Sequence, residues 1–257
     1  MDDEPTTAER TETVRRAIES SGLEPGTSHR CHYLKDRFAR DLAFSASTLP
    51  PGVYRSLMDL NFRRSGVIIY RPACEICQQC QALRVPVSAF RPNRTQRRCW
   101  KRNRDLTVET CEPVPTEEKH DLYRSYLEDR HDREMGDSWD DFRRFLYESP
   151  VQTMETTYRQ SGRLIAVGIA DVELDAVSTV YCYFDPEFAS RSPGVFNVLW
   201  TIDHCRRRRI SHLYLGYYIR DCKKMNYKTD YQPCEVLDAE GNWRGIGREE
   251  RDARGET

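Results

Sequence analysis

Three cysteines at two-residue gaps, Cys74, Cys77 and Cys80, run straight into a segment dense in arginine and lysine. Thiolates at this spacing can turn toward one ion, and sulfur ligation of that kind suits zinc or an iron–sulfur cluster. A fourth ligand is missing locally, with Cys31 and Cys99 as the candidates. The basic residues that follow are Arg84, Arg91, Arg94, Arg97, Arg98, Lys101, Arg102 and Arg104, and no Asp or Glu stands between Glu75 and Asp105. Lacking acids, the segment can form no internal i,i+4 ion pairs. Phe90 and Trp100 beside it can stack on bases, so the block reads as a footprint for phosphates, and for RNA in particular. Arg91, Arg94, Arg97, Arg98, Lys101 and Arg102 are the residues expected to meet the polyanion.

The whole-chain averages hide that footprint. The 257 residues carry a formal net charge of −1, so the cationic density is local, as it should be when only one face meets phosphates. Hydrophobic content of 38% is enough for a sizeable core in one large or two modest domains. Ten cysteines could make a disulfide framework, but the chain exceeds the size that needs one and shows no apolar export segment. No 18-residue apolar run occurs either, so a soluble cytoplasmic protein with no membrane partner is expected. No HExxH or GxSxG pattern is present, and hydrolase readings have nothing behind them.

The elements that must position these residues follow from the apolar pattern. Residues 1–28 and 248–257 read as mobile tails. Residues 29–110 form a Cys-containing α+β region: a short helix over 53–60, strands over 66–70 and 82–87 with Pro86 marking an edge, and a helix over 93–103. The cysteine cluster thus falls on the connection between two strands. Residues 111–247 form the second region, opening with helices over 117–129 and 139–147. Strands over 151–158 and 164–172 are joined by the Ser161-Gly162 turn, and a third strand covers 177–184. The loop Arg191-Ser192-Pro193-Gly194 leads into a helix over 195–207 and then a strand over 212–217. Hairpin, strand, loop, helix and strand in that order resemble the core of the Gcn5-related N-acetyltransferase fold, which makes the chain α+β. Backbone N–H groups and Arg191 at the helix start offer a natural anion site. The glycine-rich loop expected for coenzyme A is absent, which disfavours an acetyltransferase using that cofactor.

The runs Phe62-Arg63-Arg64-Ser65-Gly66, Tyr70-Arg71-Pro72, Arg84-Val85-Pro86-Val87 and Gln96-Arg97-Arg98-Cys99-Trp100-Lys101-Arg102-Asn103 resemble the arginyl-tRNA–protein transferase family. Phe184-Asp185-Pro186, Arg191-Ser192, Tyr214-Leu215-Gly216-Tyr217-Tyr218-Ile219 and Tyr227-Lys228 extend the likeness across roughly residues 31–244, toward the bacterial members that transfer leucine. The resemblance implies transfer of an amino acid from aminoacyl-tRNA to the α-amine of proteins beginning with Asp or Glu, which marks them for degradation. No cofactor is then required for transfer. It also implies a cluster or zinc at Cys31, Cys74, Cys77 and Cys80, because related eukaryotic arginyltransferases bind an iron–sulfur cluster through an N-terminal cysteine set. Alternatives are an arginyltransferase on the same acidic N-termini and a non-catalytic, metal-dependent RNA-binding module.

Within that reading the site residues take definite roles. Asp185 at a strand end and Asp171 in the neighbouring strand are the candidates to orient or deprotonate the attacking amine. Arg191 and Ser192 would hold the tRNA 3′ end. Arg220, Lys224 or Lys228 would pair with the acidic side chain of the acceptor. Tyr217 and Tyr218 would stack on the terminal adenine or line the aminoacyl pocket.

Overall fold

The computed structural model describes residues 5–130 and 136–247. The proposed tail at 248–257 lies outside them, as do residues 1–4 of the tail proposed at 1–28, but the rest of that segment is not a tail: helix α1 spans Thr7–Ser20. Its start is written in the sequence as a capping box, with Thr6 and Glu9 satisfying each other's backbone N–H groups. Among the described residues, Val14 and Ile18 are the apolar side chains of α1 packed against the core, too thin a stripe for periodicity to register.

A two-stranded ribbon follows, β1 (His29–Arg30) with β2 (Phe38–Ala39), then β3 (Asp41–Ser45) and helix α2 (Val53–Asp59). Strands β4 (Arg63–Ser65) and β5 (Ile68–Pro72) join β3 in a small sheet ordered β3-β5-β4. Next come β6 (Gln81–Pro86), α3 (Arg94–Arg102) and β7 (Thr107–Cys111). Helices α4 (Glu117–Arg130) and α5 (Trp139–Phe142) precede a π turn, Arg143–Tyr147. The second half contains β8 (Thr153–Gln160), β9 (Arg163–Val172), β10 (Ala176–Phe184), a 3₁₀ turn at Pro186–Arg191, α6 (Pro193–Arg207) and β11 (His212–Tyr218). Helix α7 (Lys223–Asn226), a 3₁₀ turn at Tyr227–Asp230, β12 (Cys234–Leu237) and β13 (Trp243–Ile246) complete the chain.

The main sheet runs β13-β12-β6-β11-β10-β9-β8-β7, and only β10 and β11 pair in parallel. Helix α6 makes the crossover between them, the acetyltransferase-like arrangement that the element order predicts. Two expectations are corrected here. The boundary at 110/111 cuts through the main sheet, because β6 and β7 belong to that sheet and α3 to its cover. Strand β6 is interior, between β11 and β12, and Pro86 is tolerated as its last residue rather than as an edge marker.

Alternation along the strands sorts the core into two faces. Leu213 and Leu215 pack with α6 residues Phe196, Leu199 and Ile202 and with Cys99 of α3. Tyr214, between them, points the other way into a cluster with Tyr54 and Leu57 of α2 and Ile69 of the small sheet. Leu164, Val167 and Ile169 of β9 likewise face α4 through Leu122, Tyr123 and Leu127. Helices α3 and α6 therefore cover one face; α4 and the N-terminal layer cover the other. Among the described residues, no helix is long and apolar enough to cross a membrane.

Candidate functional site

Helix α3 explains how the basic block is displayed. Asn93 caps it in a capping box with Gln96, and Gln96, Cys99 and Asn103 form its buried side. Arg94, Arg97, Arg98 and Lys101 fall three and four residues apart and are all exposed. Among the described residues none of the four enters an ion pair, so their charge is available to a polyanion. Arg91 and Arg102 are also exposed, and their guanidiniums bond backbone carbonyls, those of Ser88 and Phe90 and that of Ser190 respectively, as Arg97 bonds that of Pro92.

The helix lies antiparallel across α6. Asn103 donates to the Arg191 carbonyl at 3.0 Å near the start of α6, while Arg206 near its end donates to the Phe90 carbonyl at 3.1 Å. Trp100 spends its ring on Phe196, 5.4 Å between centroids, rather than on a base. The basic face thus runs along α3 from the end of α6, where Arg208 and Arg209 are exposed, toward the α6 N-terminus.

At that end the sheet splits. Pairing between β10 and β11 is confined to Ala176–Ser178 against His212–Tyr214, although both strands run on. Each carries a register break beyond this point, β10 between Thr179 and Tyr181 and β11 between Tyr214 and Tyr217. Gly216, at φ +78°, allows the second break, in a backbone region a side chain would resist. Two side chains tend carbonyls along the parted edge of β11: Thr179 donates to Tyr214 O at 3.2 Å and Lys228 to Tyr217 O at 2.7 Å. Lys228 is buried and, among the described residues, has no carboxylate partner. Burial first, then nearby Arg63, brings its pKa down to about 7. Cys182 of β10 lies close enough to Tyr158, Tyr227 and Tyr231 to bear on each of them, and burial pushes its thiol up to about 12. Tyr227 is 45% exposed, which leaves an aromatic wall accessible at the split. Behind it, Asn197 of α6 accepts from Tyr158 at 2.8 Å, and Gly168 is required because a Cβ there would stand 2.0 Å from the Asn197 oxygen.

The structure moves several proposed site residues into framework roles. Asp171 is fully enclosed and takes both its oxygens to Arg64 (2.6–2.9 Å), with Thr153 at 3.1 Å, which fastens β4 of the small sheet to β9. It cannot reach a substrate amine. Asp185 caps the 3₁₀ turn by accepting from Glu187 N at 3.0 Å and pairs with Arg163 at 2.5 Å. Arg191 forks onto Asp105 at 2.8 and 2.9 Å, holding that carboxylate down to about 2, and so ties the α6 loop to the end of α3. Ser192 adopts φ 57° at the helix start, and its carbonyl lies 3.6 Å from the Cys99 thiol. Tyr217 and Tyr218 are buried, Tyr217 donating to the Asn61 carbonyl at 2.9 Å, so neither can stack on an adenine. Lys228 is enclosed for the same reason, whereas Lys224 is exposed and Arg220 half-buried. Sequence reasoning did not anticipate the split; Gly216 within the β-rich run was the one signal for it.

The cysteines form a separate corner. Cys31, Cys74 and Cys77 all bear on Cys80, whose thiol burial and those neighbours push up to about 12. Cys99 is excluded from this set, because it is buried under the α6 loop. Four sulfurs are a donor set for zinc or an iron–sulfur cluster, yet among the described residues no three potential ligands converge tightly enough to hold an ion as they stand.

Comparison with known proteins agrees with this layout. Residues 118–238 match the family "Arginine-tRNA-protein transferase, C terminus", and residues 29–98 match its N-terminal counterpart. The aspartate/glutamate leucyltransferase of Alcanivorax borkumensis is 43% identical over 220 residues, covering 84% of this chain and 90% of that protein. That of Pseudomonas fluorescens is 43% identical over 212 residues, covering 81% and 90%. A conserved protein of unknown function from Bacteroides thetaiotaomicron shares the fold alone: TM-score 0.50 at 12% identity, over 87% of this chain and 71% of that one.

Proposed function

The chain belongs to the arginine-tRNA-protein transferase family, and on that premise we propose that it moves leucine from leucyl-tRNA to the α-amine of proteins beginning with aspartate or glutamate. One observation carries the reading: 43% identity across nine-tenths of a protein named for that transfer. The geometry supports it, since an exposed basic helix leads a tRNA acceptor arm toward the split between β10 and β11, where a transfer centre would sit.

The chemistry asks little of the protein. The amine attacks the aminoacyl ester carbonyl, an amide forms, and the ribose hydroxyl leaves with its proton. A peptide α-amine has a pKa of about 7.7–8.0, so an appreciable fraction is neutral at physiological pH. Holding amine and ester together can supply roughly 7–11 kcal/mol. With Asp171 and Asp185 committed to Arg64 and to the Arg163 and Glu187 contacts, the reading assigns catalysis chiefly to positioning: α3 for the tRNA body, the α6 start for its 3′ end, the split for the aminoacyl group.

The same reading places the protein in the cytoplasm and gives the cysteine corner a zinc ion or an iron–sulfur cluster, through which no transfer step runs. Metal analysis of protein purified under nitrogen should find zinc or iron bound; metal-free, fully active protein would remove that part. The function itself is tested by supplying purified protein with labelled Leu-tRNA or Arg-tRNA and peptides beginning with Asp, Glu or Ala. Leucine on the acidic peptides alone is expected. Transfer of arginine instead, or tRNA binding with no peptide modified, would overturn it.

A further inference from the structure

A cavity of about 330 Å³ opens between α1, the end of β5, the cysteine loop and the β12–β13 turn. Two guanidiniums line it, Arg15 from α1 and Arg71 from the Tyr70-Arg71-Pro72 run, which no role described above has used. Among the described residues Arg71 enters no ion pair. It donates to the Leu60 carbonyl at 3.3 Å and lies over the Phe62 ring at 4.9 Å. Arg15 has only a loose partner, Glu12 at 3.5 Å on the same exposed helix. The two cations repel each other: burial lowers the pKa of Arg71 and Arg15 lowers it further, with Tyr217 and Glu19 offsetting part of the shift. Among the described residues, the acids on the wall form no ion pair with either guanidinium. Asp59 is taken by Arg55 at 2.5 Å, Tyr214 at 2.6 Å and Trp243 at 3.1 Å, and Asp238 accepts from Asn242 N at 2.7 Å. Glu240 is exposed.

Its position in the fold points to the occupant. Gln81, in the cavity wall, pairs with Tyr218, so the cavity lies at the end of the sheet where β10 and β11 part. It opens among the elements of the N-terminal layer, across the sheet from the basic face of α3. A guanidinium forks onto a carboxylate with two parallel bonds, and the volume is at the lower end for small-ligand sites, suiting one side chain better than stacked nucleotides. We propose that this cavity receives the side-chain carboxylate of the acceptor's first residue between Arg15 and Arg71. The proposal rests on the transfer reading above and names how that reaction selects acidic N-termini: tRNA approaches one face of the sheet, the acceptor the other.

The test compares Arg71→Gln and Arg15→Gln with wild type in the full chain. Peptides beginning with Asp and with its neutral isostere Asn are titrated by fluorescence anisotropy, and transfer kinetics are measured at saturating Leu-tRNA. Charge-assisted hydrogen bonds are strong enough that each variant should weaken Asp-peptide binding about tenfold and raise its KM to match, with the preference for Asp over Asn collapsing and tRNA affinity unchanged. Arg15 is on an exposed helix, so Arg15→Gln keeps the test alive if Arg71→Gln unfolds. Undiminished Asp preference in a folded variant overturns the proposal, as does lost tRNA affinity with a shallower salt dependence, which would make the cavity a nucleic-acid contact. A wild type that transfers nothing yet binds Asp peptides through these arginines would refute the transfer reading and leave the cavity assignment standing. A wild type that binds neither peptide selectively overturns both.

Discussion

Replacing Arg97 and Arg98 together by Ala removes two of the four unpaired cations on the exposed face of α3 without touching its buried side. Each phosphate contact contributes about 0.7–0.9 to the slope of log affinity against log salt, so two contacts remove roughly 1.6. Extrapolated from a common value at 1 M salt, that is a loss of about 40-fold at 0.1 M and about sevenfold at 0.3 M. Neither side chain packs in the core, and the change in folding stability should stay within about 0.5 kcal/mol. Fluorescence anisotropy with labelled tRNA between 0.05 and about 0.3 M salt reads the slope directly, and thermal unfolding checks the fold. A slope equal to wild type would refute the argument that α3 meets phosphates. So would an affinity loss of the same factor at every salt concentration, because counterion release requires the two curves to converge.

Three further outcomes follow from the site. Asp171→Asn leaves the Arg64 guanidinium buried without its counter-charge and should destabilise the fold by about 3–5 kcal/mol, read from urea unfolding; wild-type stability would deny the pair its framework role. Asp185→Asn keeps a good capping side chain and loses only a half-exposed pair with Arg163, so single-turnover transfer should stay within a few-fold, whereas a fall of about 100-fold or more would reinstate it as a general base. For Lys228, the folded pKa of about 7 lies below the unfolded 10.5, so between those values the unfolded chain binds more protons and stability rises with pH. That increment, up to about 1.4 kcal/mol per pH unit, should appear as a rise with pH in the wild type minus Lys228→Met difference in urea unfolding; a flat difference would show that Lys228 is not held neutral.

Much of this protein is legible without coordinates. The Ser161-Gly162 hairpin, the helix over 195–207 and the strand over 212–217 were readable because turn chemistry and periodicity act over a few residues. The display of Arg94, Arg97, Arg98 and Lys101 follows from helical spacing once α3 exists. Helix α1 was lost to a thin apolar stripe despite its capping box. Asp171, Asp185, Arg191 and Tyr217 carried reactive side chains, and sequence reasoning made them a site; their partners Arg64, Arg163, Asp105 and Asn61 are 107, 22, 86 and 156 residues away, and no local rule finds them.

The sequence by itself determined the family, the order of elements and the cationic face, because motif identity, periodicity and charge spacing are local properties of the chain. The tertiary structure alone decided which charges are spent and which remain free. That division depends on pairings between distant segments: β6 inserted between β11 and β12, the parting of β10 from β11 around Gly216, and α1 folded back to set Arg15 beside Arg71. A charge acts on substrate only where the fold has not already neutralised it, and neutralisation depends on three-dimensional distance.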